Sequence, residues 1–153
     1  MNNSKLLSLV SIVVVFFVAI IVLLSLSINK ASEVREQAFR KEATNVVESA
    51  NKAIKKYNEN TLTFTNNENV CKKDKVFCFT VKYLIDNKLY DGNENMFSGK
   101  IEIDTSKNDS AYSVYFKKGD EFKIIGGFRS DYTKHGTLSI ATWNSDYETC
   151  TCN

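Results

Sequence analysis

The residues of this chain whose types and spacing most clearly indicate a specific chemistry are four cysteines. All of them follow a long apolar N-terminal run. They form one Cys-x6-Cys pair and one Cys-x-Cys pair: Cys71, Cys78, Cys150 and Cys152. An even number of cysteines in a small domain beyond a membrane segment favours disulfides and an oxidising compartment. A metal site and free thiols are the alternatives, but neither spacing matches the short Cys-x2-4-Cys knuckle of structural zinc sites.

The pairing of these cysteines stays open at the level of sequence, because four cysteines allow three connectivities. A bridge between Cys150 and Cys152 would close a very tight ring, so we expect at least one long-range link. Such bridges would staple the connection that follows the N-terminal helix, or bind it to the C-terminal tail.

The remaining polar groups do not form a recognisable catalytic or metal-binding set. His135 is the only histidine and reads as a surface-loop residue. Residues 91–95 (DGNEN) offer oxygen ligands of the calcium type, but their spacing departs from the EF-hand loop, and residues 144–148 (NSDYE) are a weaker case. The sequence contains no Gly-rich phosphate loop, Ser nucleophile elbow or zinc-binding His pair. We therefore predict no catalytic, cofactor-binding or metal-binding residues, and no enzyme activity.

The net charge and the length of the chain limit the possible functions and the number of domains. The chain has 153 residues and a net charge of +2, without the concentrated basic face that nucleic-acid binding requires. No small-molecule substrate is indicated. The part of the chain after residue 60 is long enough for one small domain with a single modest core.

The N-terminus predicts a membrane anchor. After a short tail, residues 1–5, the stretch 6–28 carries no charge, and about 20 helical residues cross a hydrocarbon layer of ~30 Å. This run exceeds the apolar region of a cleaved signal peptide, which has about 7–15 residues. A buried helix is the weakest alternative, because so small a protein has no core able to surround it. We therefore expect a single retained transmembrane helix.

Two signals conflict over the side on which the C-terminal domain lies. Basic residues are more numerous after the apolar run than before it, which by the positive-inside rule would retain the domain in the cytoplasm. The cysteines indicate an oxidising compartment instead. We expect the C-terminal domain to be extracytoplasmic.

Residues 29–58 continue the apolar run as an amphipathic helix. Apolar residues recur at steps of three and four, which is one stripe of a 3.6-residue helix, and the opposite face is charged. Five residues of the stripe are alanines, so a partner can approach closely. That partner is either the chain's own C-terminal domain or neighbouring subunits.

Residues 59–153 predict a small α+β head domain. Residues 61–65 are a short strand or an extended loop, and 66–75 a polar connection. Thr80 can cap a short helix that a turn at Asp91-Gly92 ends. Its buried face comprises Val81, Leu84, Ile85 and Leu89. Four strands follow as an antiparallel meander that needs a helix to cover one face: residues 99–104, 111–116, 121–125 and 137–143.

This layout resembles that of type IV pilins and type II secretion pseudopilins. The segment FTVKYLIDNKLYDG, followed by GKIEID, is similar to the loop helix and first strand of small pilin-like proteins, and AYSVYFKKGDEFKIIGG is similar to their next hairpin. The chain departs from the family pattern in having no Gly cleavage site before the apolar segment and no Glu within that segment, residues 6–28. The resemblance is thus to an atypical member.

The resemblance implies a pilin-like fold and a non-catalytic subunit of a surface filament or of a secretion- or competence-type machinery. Its partners would be the membrane and like subunits, or other pilin-like proteins, bound through the N-terminal helix. The alternative function is a monomeric single-pass membrane protein whose extracytoplasmic domain binds a ligand or partner.

Overall fold

The computed structural model describes residues 3–92, 97–106, 108–131, 136–139 and 142–152. The chain divides into two compact units, Met1–Ala38 and Phe39–Asn153. The described residues include a long N-terminal helix and an antiparallel sheet, so the predicted α+β class is confirmed. The second unit includes the last turns of that helix, whereas the sequence interpretation began the head domain at residue 59.

Helix α1 spans Asn3–Asn58 without interruption. The chain contains no proline, and its first glycine is Gly92, so no strong helix breaker occurs within α1. Lys55 and Lys56 lie in the last turn, where cations interact favourably with the helix dipole. The helix ends as the chain reverses at Asn60, whose φ is 55°.

Among the described residues, six strands form one antiparallel sheet in sequence order, β1 to β6. Their bounds are Val70–Lys73, Val76–Thr80, Ser98–Asp104, Ala111–Lys118, Glu121–Phe128 and Gly136–Ser139. The predicted meander is correct for β3 to β6. The prediction was wrong for β1 and β2, because 66–75 was interpreted as a connection and β2 was not recognised.

Asparagine side chains of the preceding loop order β1. The Asn66 amide donates to the Lys72 carbonyl at 3.1 Å and accepts from the Lys72 N–H at 2.9 Å. The Asn67 Oδ1 accepts from the N–H groups of Asn69 and Val70. These side chains replace backbone partners at the start of an edge strand. A polar stretch thus supports a strand instead of a loop.

The apolar stripe of α1 covers one face of the sheet. Its buried members recur at helical spacing: Phe39, Ala43, Val46, Val47, Ala50, Ala53 and Ile54. They share one core with Phe79, Ile101, Val114 and Ile125, which lie side by side across β2 to β5. The partner of the alanine-rich stripe within this chain is therefore its own sheet.

Helix α2, Val81–Asp86, begins at the predicted cap. The Thr80 side chain accepts a hydrogen bond from the Tyr83 N–H at 3.1 Å. The helix ends at Asp86, with Asn87 as its cap, so the predicted stop at Asp91-Gly92 was wrong. Leu89 lies beyond the helix but is still buried.

Candidate functional site

The first feature that calls for a partner is the apolar part of α1. An 18-residue window near its start has a mean hydropathy of 2.3, and none of that window is buried within the chain. Twelve large apolar side chains between Val14 and Ile28 are 43–69 % exposed. In the described residues this is one helix long and apolar enough to cross a membrane, which is compatible with membrane anchoring.

The hydroxyl groups near the end of that segment have partners inside the helix. Ser25 Oγ donates to the Ile21 carbonyl and Ser27 Oγ to the Leu23 carbonyl, each at 2.9 Å. In hydrocarbon an unpaired hydroxyl group would cost about 4 kcal/mol. These serines can therefore enter an apolar medium without an external partner.

The second feature is a cluster of sulfur atoms on the face of the sheet opposite α1. The structure joins Cys71 to Cys152 and Cys78 to Cys150. Cys71 and Cys78 are directly opposite each other across β1 and β2. Both bridges therefore bind the first hairpin of the sheet to the C-terminal tail, and both are long-range links.

The tail is held by hydrogen bonds and rings as well as by the disulfides. The Cys150 N–H donates to the Glu68 carbonyl at 2.7 Å. Tyr147 stacks on Tyr115 of β4 with ring centroids 5.0 Å apart, and Trp143 stacks on Phe122 of β5 at 5.5 Å. The tail thus lies over both ends of the sheet's second face.

A buried lysine lies on that second face. Lys100 of β3 is 5 % exposed, its Nζ is 2.9 Å from Glu102 Oε1, and it lies 5.3 Å from the centroid of the Tyr115 ring. Burial, followed by the nearby negative charge of Glu102, raises the pKa of Tyr115 above its ordinary value. Lys100 and Glu102 thus form an ion pair, and desolvation offsets much of the Coulomb attraction in such a pair.

A second polar cluster joins α1 to the segment after α2. The Tyr90 hydroxyl donates a short hydrogen bond to Glu42 Oε2, and Tyr90 is 5 % exposed. Burial, together with the Glu42 carboxylate, raises the pKa of Tyr90 far above its ordinary value of 10.0. Asp91 and Gly92 line a neighbouring cavity of about 290 Å³.

A larger groove of about 560 Å³ runs along the C-terminal turns of α1. Lys52, Lys55 and Arg129 line it together with Glu48 and Glu59. The Oδ1 atom of Asn51, also in the lining, is buried and has no hydrogen-bond partner among the described residues. The groove therefore offers mixed charges and one unused acceptor.

The sequence-based candidates have different outcomes. The four cysteines converge on one cluster. His135 and Asn93, Glu94 and Asn95 of the proposed calcium loop lie outside the described residues, as do residues 140 and 141 of the strand predicted at 137–143. Residues 142 and 143 are not in a strand, so the prediction was wrong there. Residues 144–148 form a 3-10 turn, Ser145–Tyr147, that Asn144 caps.

Sequence reasoning missed two contacts, Lys100 with Glu102 and Tyr90 with Glu42. The alternation in GKIEID marked Lys100 and Glu102 as solvent-facing, and no signal pointed to the tail above them. The Tyr90–Glu42 pair joins residues 48 positions apart, and such a pairing has no local signature.

No protein-family model matches the chain, and neither a curated protein nor a solved structure is significantly similar to it.

Proposed function

We propose that this chain is a non-catalytic, membrane-anchored subunit of a pilin-like or pseudopilin-like assembly. The apolar part of α1 enters the membrane and packs there against like subunits or other pilin-like proteins. The α+β head lies outside the cytoplasm and presents its loops. The proposal joins the resemblance in the sequence to the apolar surface and the disulfides of the structure.

The observation that carries the proposal is the exposure of residues 14–28. Burying a large apolar side chain completely is worth about 1.5–3 kcal/mol. Twelve such side chains, each about half exposed, together represent on the order of 10 kcal/mol of unused transfer free energy. A lipid layer, or a bundle of equivalent helices within it, supplies that burial.

The extracytoplasmic position of the head rests on the disulfides. Two bridges in one small domain are typical of oxidising compartments. The basic residues that follow the apolar run favour the opposite orientation. The side of the membrane on which the head lies is therefore tested directly below.

The raised tyrosine pKa values have a structural explanation and do not by themselves indicate a catalytic site. Burial is the first cause of each raised tyrosine pKa, at Tyr83, Tyr90 and Tyr115. These tyrosines make packing or hydrogen-bond contacts within the head. Shifts of this kind are typical of structural contacts as well as of active sites.

A monomeric anchor with a ligand-binding head is the second candidate, and the groove beside α1 favours it. The lining offers charges of both signs, from Glu48, Lys52, Lys55, Glu59 and Arg129. Such a protein would need the membrane segment but no neighbouring subunit.

Membrane insertion is tested by placing two lysines in the apolar segment. Ile21→Lys with Leu24→Lys adds about 3 kcal/mol per site to the insertion free energy, so most of the protein should become extractable by alkaline carbonate. The matched control carries the same charges and spacing at exposed positions of α1 beyond the segment, Val34→Lys with Gln37→Lys, and should stay in the membrane fraction. Equal extraction of both pairs would refute the anchor.

Assembly and orientation need separate measurements on the wild-type chain. Protease added to intact cells should cut an epitope fused to the C-terminus if the head is outside.

A photo-crosslinking amino acid at Val18 should capture a second helix if subunits assemble, while the same group at Val34 is the control. Capture of lipid alone at Val18, with no protein adduct, would leave the monomeric candidate in place of the assembly.

A further inference from the structure

The sulfur atoms of the head form a more compact cluster than two independent disulfides require. The Sγ atoms of Cys71, Cys78 and Cys150 all lie within 4.8 Å of one another. Cys152 is bonded to Cys71, so its sulfur adjoins the same group. The two bridges therefore share one site.

Most of the site is buried, and two of its four cysteines lie on the β1–β2 hairpin. Cys71, Cys78 and Cys150 are 1 %, 3 % and 5 % exposed. The first two are fixed across the β1–β2 hairpin by its register, and the other two are separated by one residue of the tail. Burial excludes water from these three sulfurs, whereas Cys152 is partly buried, and the hairpin fixes two of the four before any ligand binds.

The spacing of the sulfurs is close to that of a tetrathiolate metal centre. Zinc–sulfur bonds of about 2.3 Å in a tetrahedron place the sulfurs ~3.8 Å apart. To reach that geometry, the bonded sulfurs, which are 2.03 and 2.04 Å apart, must separate by roughly 1.8 Å. The non-bonded sulfurs among Cys71, Cys78 and Cys150, which are at most 4.8 Å apart, must approach by about 1 Å or less. The chain order resembles other zinc sites in supplying ligands from a hairpin and from a second, short segment, although the spacings differ.

We propose that, in its reduced state, the cluster of Cys71, Cys78, Cys150 and Cys152 is a tetrathiolate site for a soft or borderline divalent cation, with zinc as the reference ion. This inference concerns the head alone and holds whether or not the chain assembles in a membrane.

The metal and disulfide states exclude each other by stoichiometry. Two equivalents of a dithiol reductant supply the four electrons and four protons that convert two disulfides into four thiols. Binding one Zn²⁺ then forms four sulfur–metal bonds and releases the four thiol protons. A newly synthesised chain already carries thiols, so it can bind the ion without a reductant. Two equivalents of a disulfide oxidant would later accept four electrons and four protons and become dithiols, as the two disulfides of the chain form and the ion is expelled.

Each state fastens the tail to the β1–β2 hairpin. In the reduced chain the metal would hold Cys150 and Cys152 against the same two strand residues that the disulfides use. The second face of the sheet would then stay covered in a reducing compartment as well as in an oxidising one.

The test uses the full-length chain in detergent micelles, reduced with a phosphine under anaerobic conditions and titrated with Co²⁺. We expect one cobalt per chain, with the intense thiolate-to-cobalt charge-transfer bands and visible bands of a tetrahedral site, and displacement of cobalt by Zn²⁺. The oxidised chain should show none of these bands.

Variants assign the ligands. Cys78→Ser and Cys150→Ser should each weaken cobalt binding at least tenfold, whereas Thr151→Ser, between the two tail cysteines, and His135→Gln should bind as the wild type does. Bands that survive both cysteine substitutions would overturn the assignment.

Folding gives an independent readout, since the reduced chain can lose its tail contacts before metal is added. Zn²⁺ should then restore the fluorescence of Trp143, the only tryptophan. A reduced chain that stays folded without forming the cobalt bands, or that unfolds and is not restored by Zn²⁺, would also overturn the proposal.

Discussion

The two disulfides share one small covalent ring, so their contributions to stability depend on each other. With Cys78–Cys150 intact, replacing Cys71 and Cys152 by serine opens only the ring that residues 71–78 and 150–152 form. For a ring of about ten residues, the chain-entropy relation gives about 2.7 kcal/mol of lost stability. Replacing Cys78 and Cys150 instead opens the same ring, and we expect the same loss.

Removing both bridges has a larger cost, because it also opens the long loop. The sequence separation of Cys78 and Cys150 is 72 residues, for which the same relation gives about 4.4 kcal/mol. The quadruple serine variant should therefore lose about 7 kcal/mol, against about 5.4 for the two double variants added together. The difference of about 1.7 kcal/mol is a coupling energy with a defined sign.

Urea unfolding of the four proteins in the same detergent measures this coupling. Trp143 stacks on Phe122 beside the tail and is the only tryptophan, so its fluorescence reports the release of the tail. Thr151→Ser, between the two tail cysteines, is the control for a serine substitution that breaks no bridge. It should leave the urea midpoint unchanged.

The stability lost by each double-serine variant tests the shared ring separately from the coupling energy. Losses that add up to that of the quadruple variant within about 0.5 kcal/mol would show that the bridges act independently. A loss above about 4 kcal/mol for either bridge alone would contradict the shared ring as well.

The remaining predictions concern the polar contacts of the head. Thr80→Ala should lower the free energy of unfolding by about 1 kcal/mol through loss of the α2 cap, while Thr80→Ser should keep most of it; urea midpoints decide between them. Tyr90→Phe should cost about 1.5–3 kcal/mol, because it leaves the Glu42 carboxylate without its hydroxyl donor. The folded state raises the Tyr90 pKa above its ordinary value of 10.0, so stability from this group is fully present below that pH and is lost as the pH rises above it. Unfolding measured on both sides of pH 10 should show a smaller alkaline decline in Tyr90→Phe than in the wild type, and equal declines would contradict the assignment.

Hydrophobic periodicity in the sequence is sufficient to predict the helices and strands that bury only one face. The helical stripe from Phe39 to Ile54 and the alternation in β3 and β4 each separate a core face from another face, and both were recognised. Strand β2 was missed because its residues, VFCFT, are apolar on both faces. The tail covers the second face through Cys78, and a strand buried on both sides loses the period-two signal.

Long-range pairing is the part that the sequence could not supply. The three possible connectivities differ in which strand residue meets which tail residue, and that depends on how the β1–β2 hairpin is placed. The same limit applies to Lys100. A charged residue in an alternating strand is interpreted as exposed until its contact with Tyr115 of β4 is known, and Tyr115 in turn stacks on Tyr147 of the tail.

The positions of the bridges also determine where the head would transmit mechanical force. Tension applied between α1 and the C-terminus would pass from the loop after Asn58 into Cys71, cross the sulfur bond to Cys152, and leave through the last residue. Strands β3 to β6 and helix α2 are outside that path. A pull that would unravel an unbridged meander strand by strand therefore meets a covalent bypass. The contacts of α1 bear the tension, whereas strands β3 to β6 are not pulled apart one after another until a sulfur bond breaks.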